Sequence, residues 1–149
     1  SLVFMLPQLA HRVDFISIGT NDLTQYLLAV DRNNTHVALL YDNLHPALLR
    51  SLNIIALECQ RYQLPVSVCG EMAGTPMGAL LLIGLGFRQL SMSGRSLPRV
   101  KYLLRHLDPA ILQPFMQQVL KAETAIEIKK LSADFMERQG LGGLIRGGI

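Results

Sequence analysis

Cysteine is nearly absent from this sequence. Of 149 residues only Cys59 and Cys69 are thiols, and neither falls in a Cys-x-x-Cys or Cys/His metal spacing. A disulfide framework and a structural zinc site are therefore excluded, and a reducing, cytoplasmic setting follows. Basic residues are few and dispersed: 14 against 11 acidic, a formal charge of +3, with no Lys/Arg cluster to track a phosphate backbone. Nucleic acid is not an expected partner. Long hydrophobic runs are missing too. The greasiest stretch, Ala79 to Phe87, has about half of the roughly 20 residues a bilayer span requires and is broken by Gly84 and Gly86. The start carries neither a basic segment nor a small-residue cleavage site, so no membrane partner is expected. His11, His36, His45 and His106 lie in unrelated contexts without metal spacing and read as surface or capping residues. Gly84-Leu85-Gly86-Phe87 ends a helical pattern and precedes a strand, the reverse of the order a dinucleotide fingerprint needs.

What the sequence does contain is a core. Half of its residues are hydrophobic, and the length suits one domain. It opens without an initiator methionine, directly into Leu2, Val3, Met5, Leu6 and Leu9 at helical spacing, which leads to the expectation of a piece cut from a longer polypeptide. Residues 1–11 read as an amphipathic helix starting near Ser1 and kinked at Pro7. Strands are predicted at 13–19, 64–70 and 88–93. The first leads into a short helix at 23–30 capped by Thr20-Asn21-Asp22. A long helix, opened by His45-Pro46, carries Leu48, Leu49, Leu52, Ile55, Ala56 and Cys59 on one side and runs to about Gln63. Gly70 onward reads as a loop before a helix at 76–85, and another helix covers 97–107. Three strand-helix units in series imply a parallel α/β sheet. After Asp108-Pro109 only helices are predicted, at 109–121 and 124–139, with Glu123, Glu127, Lys129 and Lys130 outward. Residues 140–149 are too rich in glycine for a regular element and read as a flexible tail. A full (β/α)8 TIM barrel takes roughly 250 residues. Three units are thus either the carboxyl-terminal portion of such a barrel followed by extra helices, or a small open three-stranded sandwich.

Chemistry concentrates where two strands break at a glycine: Ser17-Ile18-Gly19-Thr20-Asn21-Asp22-Leu23 and Val68-Cys69-Gly70-Glu71-Met72-Ala73-Gly74. Asp22 offers the hard oxygen that magnesium selects, although Thr20, Asn21 and Asp22 are equally helix-capping residues. Arg32 is able to clamp phosphate through two parallel hydrogen bonds, or to be half of a solvated Asp-Arg pair. Cys69 ends a strand as a thiol that can donate a proton or act as a nucleophile; buried cysteines are also commonly inert packing. Glu71 fits a second metal ligand, an orienter of the thiol, or helix-start electrostatics. Cys59 sits on an apolar helix face and reads as packing. Ser91-Met92-Ser93-Gly94 supplies either backbone donors for an anion or a plain loop.

Phe15 to Tyr26, Ala29-Val30-Asp31-Arg32, and Val68 to Gly74 together resemble the phosphoenolpyruvate-utilising enzymes. Within them the nearest likeness is to the Enzyme I group, the phosphoenolpyruvate-protein phosphotransferases, and the glycine-rich end suggests the nitrogen-related branch. The resemblance implies that residues 1–107 are the last part of a phosphoenolpyruvate-binding barrel, with carboxyl-terminal helices at 108–139 and the tail at 140–149. It further implies that Asn21 contacts the substrate phosphate, Asp22 is a Mg2+ ligand that helps bind substrate, Arg32 binds the phosphate, and Cys69 is the proton donor. By the same resemblance the partners are phosphoenolpyruvate, a histidine phosphocarrier protein and a second copy in a homodimer. The alternatives are a pyruvate phosphate dikinase, a phosphoenolpyruvate synthase, or an inactive fragment serving as a dimerisation module.

Overall fold

Three short strands carry the architecture of the computed structural model, which describes residues 2–146. They are β1 (Ile16–Gly19), β2 (Val66–Cys69) and β3 (Gln89–Ser91), ordered β1-β2-β3 and parallel throughout. Register aligns Ile18 with Val68 and Leu90, and Gly19 with Cys69 and Ser91. Because successive residues of a strand face opposite sides, Ile18, Val68 and Leu90 pack on the helical layer, with Val68 fully buried. Ser17, Ser67, Gln89, Gly19, Cys69 and Ser91 belong to the other face. No helix among the described residues covers that face, and β1 and β3 each pair along one side only.

Helices fill the connections. A 3-10 turn (Leu2–Met5) leads to α1 (Leu6–Leu9), so the single kinked helix expected at 1–11 is two short pieces; Pro7 sits in the first turn of the second, where its missing N–H costs nothing. The expected start at Ser1 lies outside the described residues. Next come α2 (Thr20–Leu28) and α3 (Pro46–Arg61), the latter opened by His45, whose Nδ1 accepts from Ala47 N at 3.1 Å. Its predicted stripe is buried as expected, and burial pushes the Cys59 thiol above its ordinary 9.0, with Glu58 adding to the shift. Then follow α4 (Glu71–Gly74), α5 (Pro76–Gly84), α6 (Leu97–His106), α7 (Leu112–Val119), α8 (Ala125–Arg138) and α9 (Gly143–Arg146).

Helix α5 is the hub. Ala79, Leu80, Leu81 and Leu82 are all fully buried, touched by α6, α7, α8 and α9. The last helices share this one core through Phe115, Met116, Ile128, Phe135 and Met136, with Phe115 and Phe135 stacked at 4.2 Å. A capping box of Thr124 and Glu127 starts α8. Two readings of the sequence need correction. The stretch after Gly70, taken as loop, contains α4. Glycine-rich residues 140–146 are not irregular: Gly140 turns with φ +71°, Leu141 is buried, and α9 follows, held by Arg99 donating to the Leu144 carbonyl and by an Arg146–Glu137 ion pair. The remainder of the expected tail, 147–149, lies outside the described residues.

Candidate functional site

The carboxyl ends of the three strands form one edge, and the two glycine breaks meet there. Gly19 pairs with Cys69 across β1 and β2, so Asn21 and Asp22 on α2 stand beside Gly70 and Glu71 on α4. Thr20 locks the two together: its hydroxyl donates to the Cys69 carbonyl at 3.1 Å, while its own carbonyl accepts from the Thr24 hydroxyl at 2.7 Å. Both threonines are fully buried, and the first bond is worth about 0.5–1.5 kcal/mol. This displaces the capping role expected of Thr20-Asn21-Asp22. Those residues are the first turn of α2 itself, and no side chain caps its start. Gly70 makes the close approach possible. Its φ of +118° is a left-handed value that disfavours side chains, and a Cβ there would collide with Thr20 Oγ1.

Arg32 returns to this edge from a distance. Helix α2 ends at Ala29 in a left-handed conformation, and Gln25 Oε1 accepts from Arg32 N at 3.1 Å, which turns the chain back. The guanidinium Nη1 then lies 3.4 Å from Glu71 Oε1. With 40% and 69% of these side chains exposed, such a pair is worth about 0–1 kcal/mol and yields readily to a better anion. Glu71 is thus the counter-ion of Arg32 rather than a partner of the thiol. Asp22 Oδ2 lies 3.6 Å from where a Cβ on Gly19 would sit, which places its carboxylate over the end of β1. No hydrogen bond or ion pair engages that carboxylate among the described residues.

A cleft of about 700 Å³ opens at this edge, with Asn21, Gly70 and Glu71 on one side and Thr75, Ser91, Ser93 and Ser96 on another. Of the residues singled out in the sequence, Asn21 lines it directly. Asp22, Arg32 and Cys69 are not among the residues that line it: Asp22 follows Asn21 in α2, Cys69 precedes Gly70, and Arg32 pairs with Glu71. Ser91-Met92-Ser93 forms cleft wall at the end of β3, and Ser93 and Ser96 hydroxyls are 3.2 Å apart. The Asp22 carboxylate has the chemistry magnesium selects, since this ion ordinarily takes one or two carboxylates and completes its shell with substrate oxygens and water. Among the described residues no group of three or more His, Cys, Asp or Glu side chains converges.

Sequence reasoning missed Tyr41. From an irregular loop it donates its hydroxyl to Asn21 Oδ1 at 3.3 Å. Burial pushes the phenol above its ordinary 10.0; Thr24 opposes this, Glu71 reinforces it and Arg32 opposes it again, so the ring lies among the same charged groups. No periodicity could reveal it, because residues 29–45 form no α-helix or strand among the described residues.

Comparison with known proteins accords with this geometry. Residues 1–109 match the model of the family described as PEP-utilising enzyme, PEP-binding domain. The chain is 61% identical over its whole length to a Salmonella typhimurium protein named phosphoenolpyruvate-dependent phosphotransferase system, and 60% identical to one of the same name from Escherichia coli; in each it covers 20% of the relative. It is 45% identical, over 87% of its own length and 23% of the relative's, to a phosphoenolpyruvate-protein phosphotransferase of Cupriavidus necator. The chain thus spans about a fifth of the length of the curated relatives it matches. With the glycine-broken strand ends brought together at one sheet edge, and a family match over more than two thirds of its residues, the chain belongs to the PEP-utilising enzymes, within their PEP-binding domain.

Proposed function

We propose that this chain is the carboxyl-terminal portion of a phosphoenolpyruvate-binding (β/α)8 barrel in a phosphoenolpyruvate-protein phosphotransferase, an enzyme that moves the phosphoryl group of phosphoenolpyruvate to one of its own histidines and on to a small histidine phosphocarrier protein. The observation that supports the reading is the Gly19–Cys69–Ser91 register, which sets the segments holding Asn21, Asp22 and Cys69 at one strand-end edge, with Arg32 joined to it through Glu71. Ligands in α/β folds bind at that edge. The two unpaired strand sides and the bare sheet face support a barrel, since parallel sheets are ordinarily covered on both faces. The names of the relatives favour the phosphotransferase over the dikinase or synthase.

In this reading Asn21 and Arg32 bind the phosphate, and Arg32 leaves Glu71 to offset charge that grows as the bond between phosphorus and the enol oxygen loosens. Magnesium, when bound, would be held by Asp22 and would neutralise the substrate's charge. The bond to phosphorus breaks as one to a histidine nitrogen elsewhere in the protein forms, and enolpyruvate remains. Its terminal carbon takes the proton of the Cys69 thiol, pyruvate leaves, and solvent reprotonates the sulfur. The whole protein is proposed to be a cytoplasmic homodimer. Among the described residues no helix is long and apolar enough to cross a membrane.

The test separates two roles in the full-length protein. Cys69→Ala is expected to abolish pyruvate release, about 100-fold or more, with phosphoenolpyruvate binding nearly unchanged. Asp22→Ala is expected to impair phosphoryl transfer and its magnesium dependence. Equal loss of binding in both variants would refute the assignment.

A further inference from the structure

The loop between α2 and α3 brings two groups against cleft residues, Arg32 to Glu71 and Tyr41 to Asn21, and only Arg32 has a role so far. Tyr41 lies near the loop's far end, where its hydroxyl is 3.3 Å from Asn21 Oδ1. A phenol hydroxyl can donate or accept, and here it donates to an amide oxygen, which only accepts. In this bond the carboxamide is held with Oδ1 toward Tyr41. With Oδ1 held by Tyr41, Asn21 Nδ2 is the free end, and it makes no hydrogen bond among the described residues although Asn21 lines the cleft. Anionic oxygens of a phosphate or carboxylate require donors, so the wrong amide orientation would point a lone pair at the ligand.

The loop is built to hold that ring in place. Asp42, the next residue, receives Leu44 N at 2.9 Å on one carboxylate oxygen and Lys129 Nζ of α8 at 3.0 Å on the other. Tyr41 is thereby tethered to the helical layer through its chain neighbour.

We propose that Tyr41 is a positioning residue: its hydroxyl orients the Asn21 carboxamide so that Nδ2 donates to an anionic oxygen of the ligand. This rests on reading the cleft as a phosphoenolpyruvate site. The experiment uses the full-length protein with Tyr41→Phe, Asn21→Ala, the double variant and Arg32→Ala. Phosphoenolpyruvate KM and kcat are measured for each, with thermal midpoints as the check on folding. Tyr41→Phe removes one oxygen and keeps the ring. It is expected to raise KM about 3- to 10-fold, in line with one lost hydrogen bond, with kcat changed less than twofold and the midpoint unmoved. In the Asn21→Ala background the same substitution is expected to change KM by less than twofold, because the group it orients is gone. A purely structural tyrosine would instead act alike in both backgrounds. An equal effect with and without Asn21, or no effect of Tyr41→Phe while Asn21→Ala and Arg32→Ala raise KM, overturns the positioning role alone. Unchanged KM in both Asn21→Ala and Arg32→Ala overturns the phosphoenolpyruvate reading and the positioning role with it.

Discussion

Gly70 decides whether the two halves of the site can touch. It stands between the Cys69 carbonyl that receives Thr20 and the start of α4, and its φ of +118° is combined with no room for a Cβ beside Thr20 Oγ1. Gly70→Ala would incur both the backbone penalty, of order 1–3 kcal/mol, and displacement of a fully buried threonine. The expected outcome in the full-length protein is a loss of about 2 kcal/mol in stability, read by denaturant unfolding, together with a drop in phosphoenolpyruvate turnover. Wild-type stability and turnover in that variant would show that the close approach of Gly70 to Thr20 is dispensable. At this scale the sequence was legible only where chemistry is concentrated. Asn21, Asp22, Arg32 and Cys69 stand out because glycine breaks and charged loop residues mark them. The Thr20 bridge, the Arg32–Glu71 pair and Tyr41 do not, since each joins positions 20 to 49 residues apart through space.

Elements were easier to read than their joints. The stripe on α3 and the alternation of strands and helices follow from periodicity, which depends only on local geometry. Strand ends were placed too wide, because Val13 and Phe15 have strand-like side chains but no neighbouring strand partner among the described residues; Phe15 is 67% exposed. The tail of glycines misled for a related reason: Leu141 is buried and secures the turn and α9 through tertiary packing that overrides propensity. Beside the shared apolar core and the Lys129–Asp42 pair, one further polar side chain ties the end of α7 to the strand-helix units. Arg50 on α3 donates through Nε to the Leu120 carbonyl at 3.4 Å and through Nη2 to the Ala122 carbonyl at 3.1 Å, occupying acceptors left open where α7 ends. Arg50→Ala is expected to cost about 1 kcal/mol and to raise amide exchange selectively at 119–125. Uniform exchange across the chain in that variant would mean that the apolar core alone anchors these helices.

At the scale of the whole molecule the described residues form one three-stranded sheet, and the proposed barrel would supply neighbours for its edges and its other face. Among the described residues β1 and β3 each leave one edge unpaired, and the face without helices carries Ser17, Ser67 and Gln89 below the site. Under the proposed function the site is likewise a part of a larger one. Asp22 supplies one free carboxylate, Glu71 is paired with Arg32, and no larger acidic group converges among the described residues. An octahedral ion that keeps substrate oxygens in its shell needs that substrate held by more than one arginine and one carboxamide. Effective phosphoryl transfer depends on such positioning, which can contribute several kcal/mol of the barrier. The isolated 149-residue chain is therefore expected to release no pyruvate from phosphoenolpyruvate and magnesium in a coupled spectrophotometric assay, and to bind magnesium only weakly by calorimetry, even where circular dichroism reports the helices intact. The full-length protein assayed beside it supplies the positive control. Steady pyruvate release by the isolated chain, lost on Cys69→Ala, would mean that these 149 residues are a complete catalyst and that the proposed barrel is not required for the chemistry.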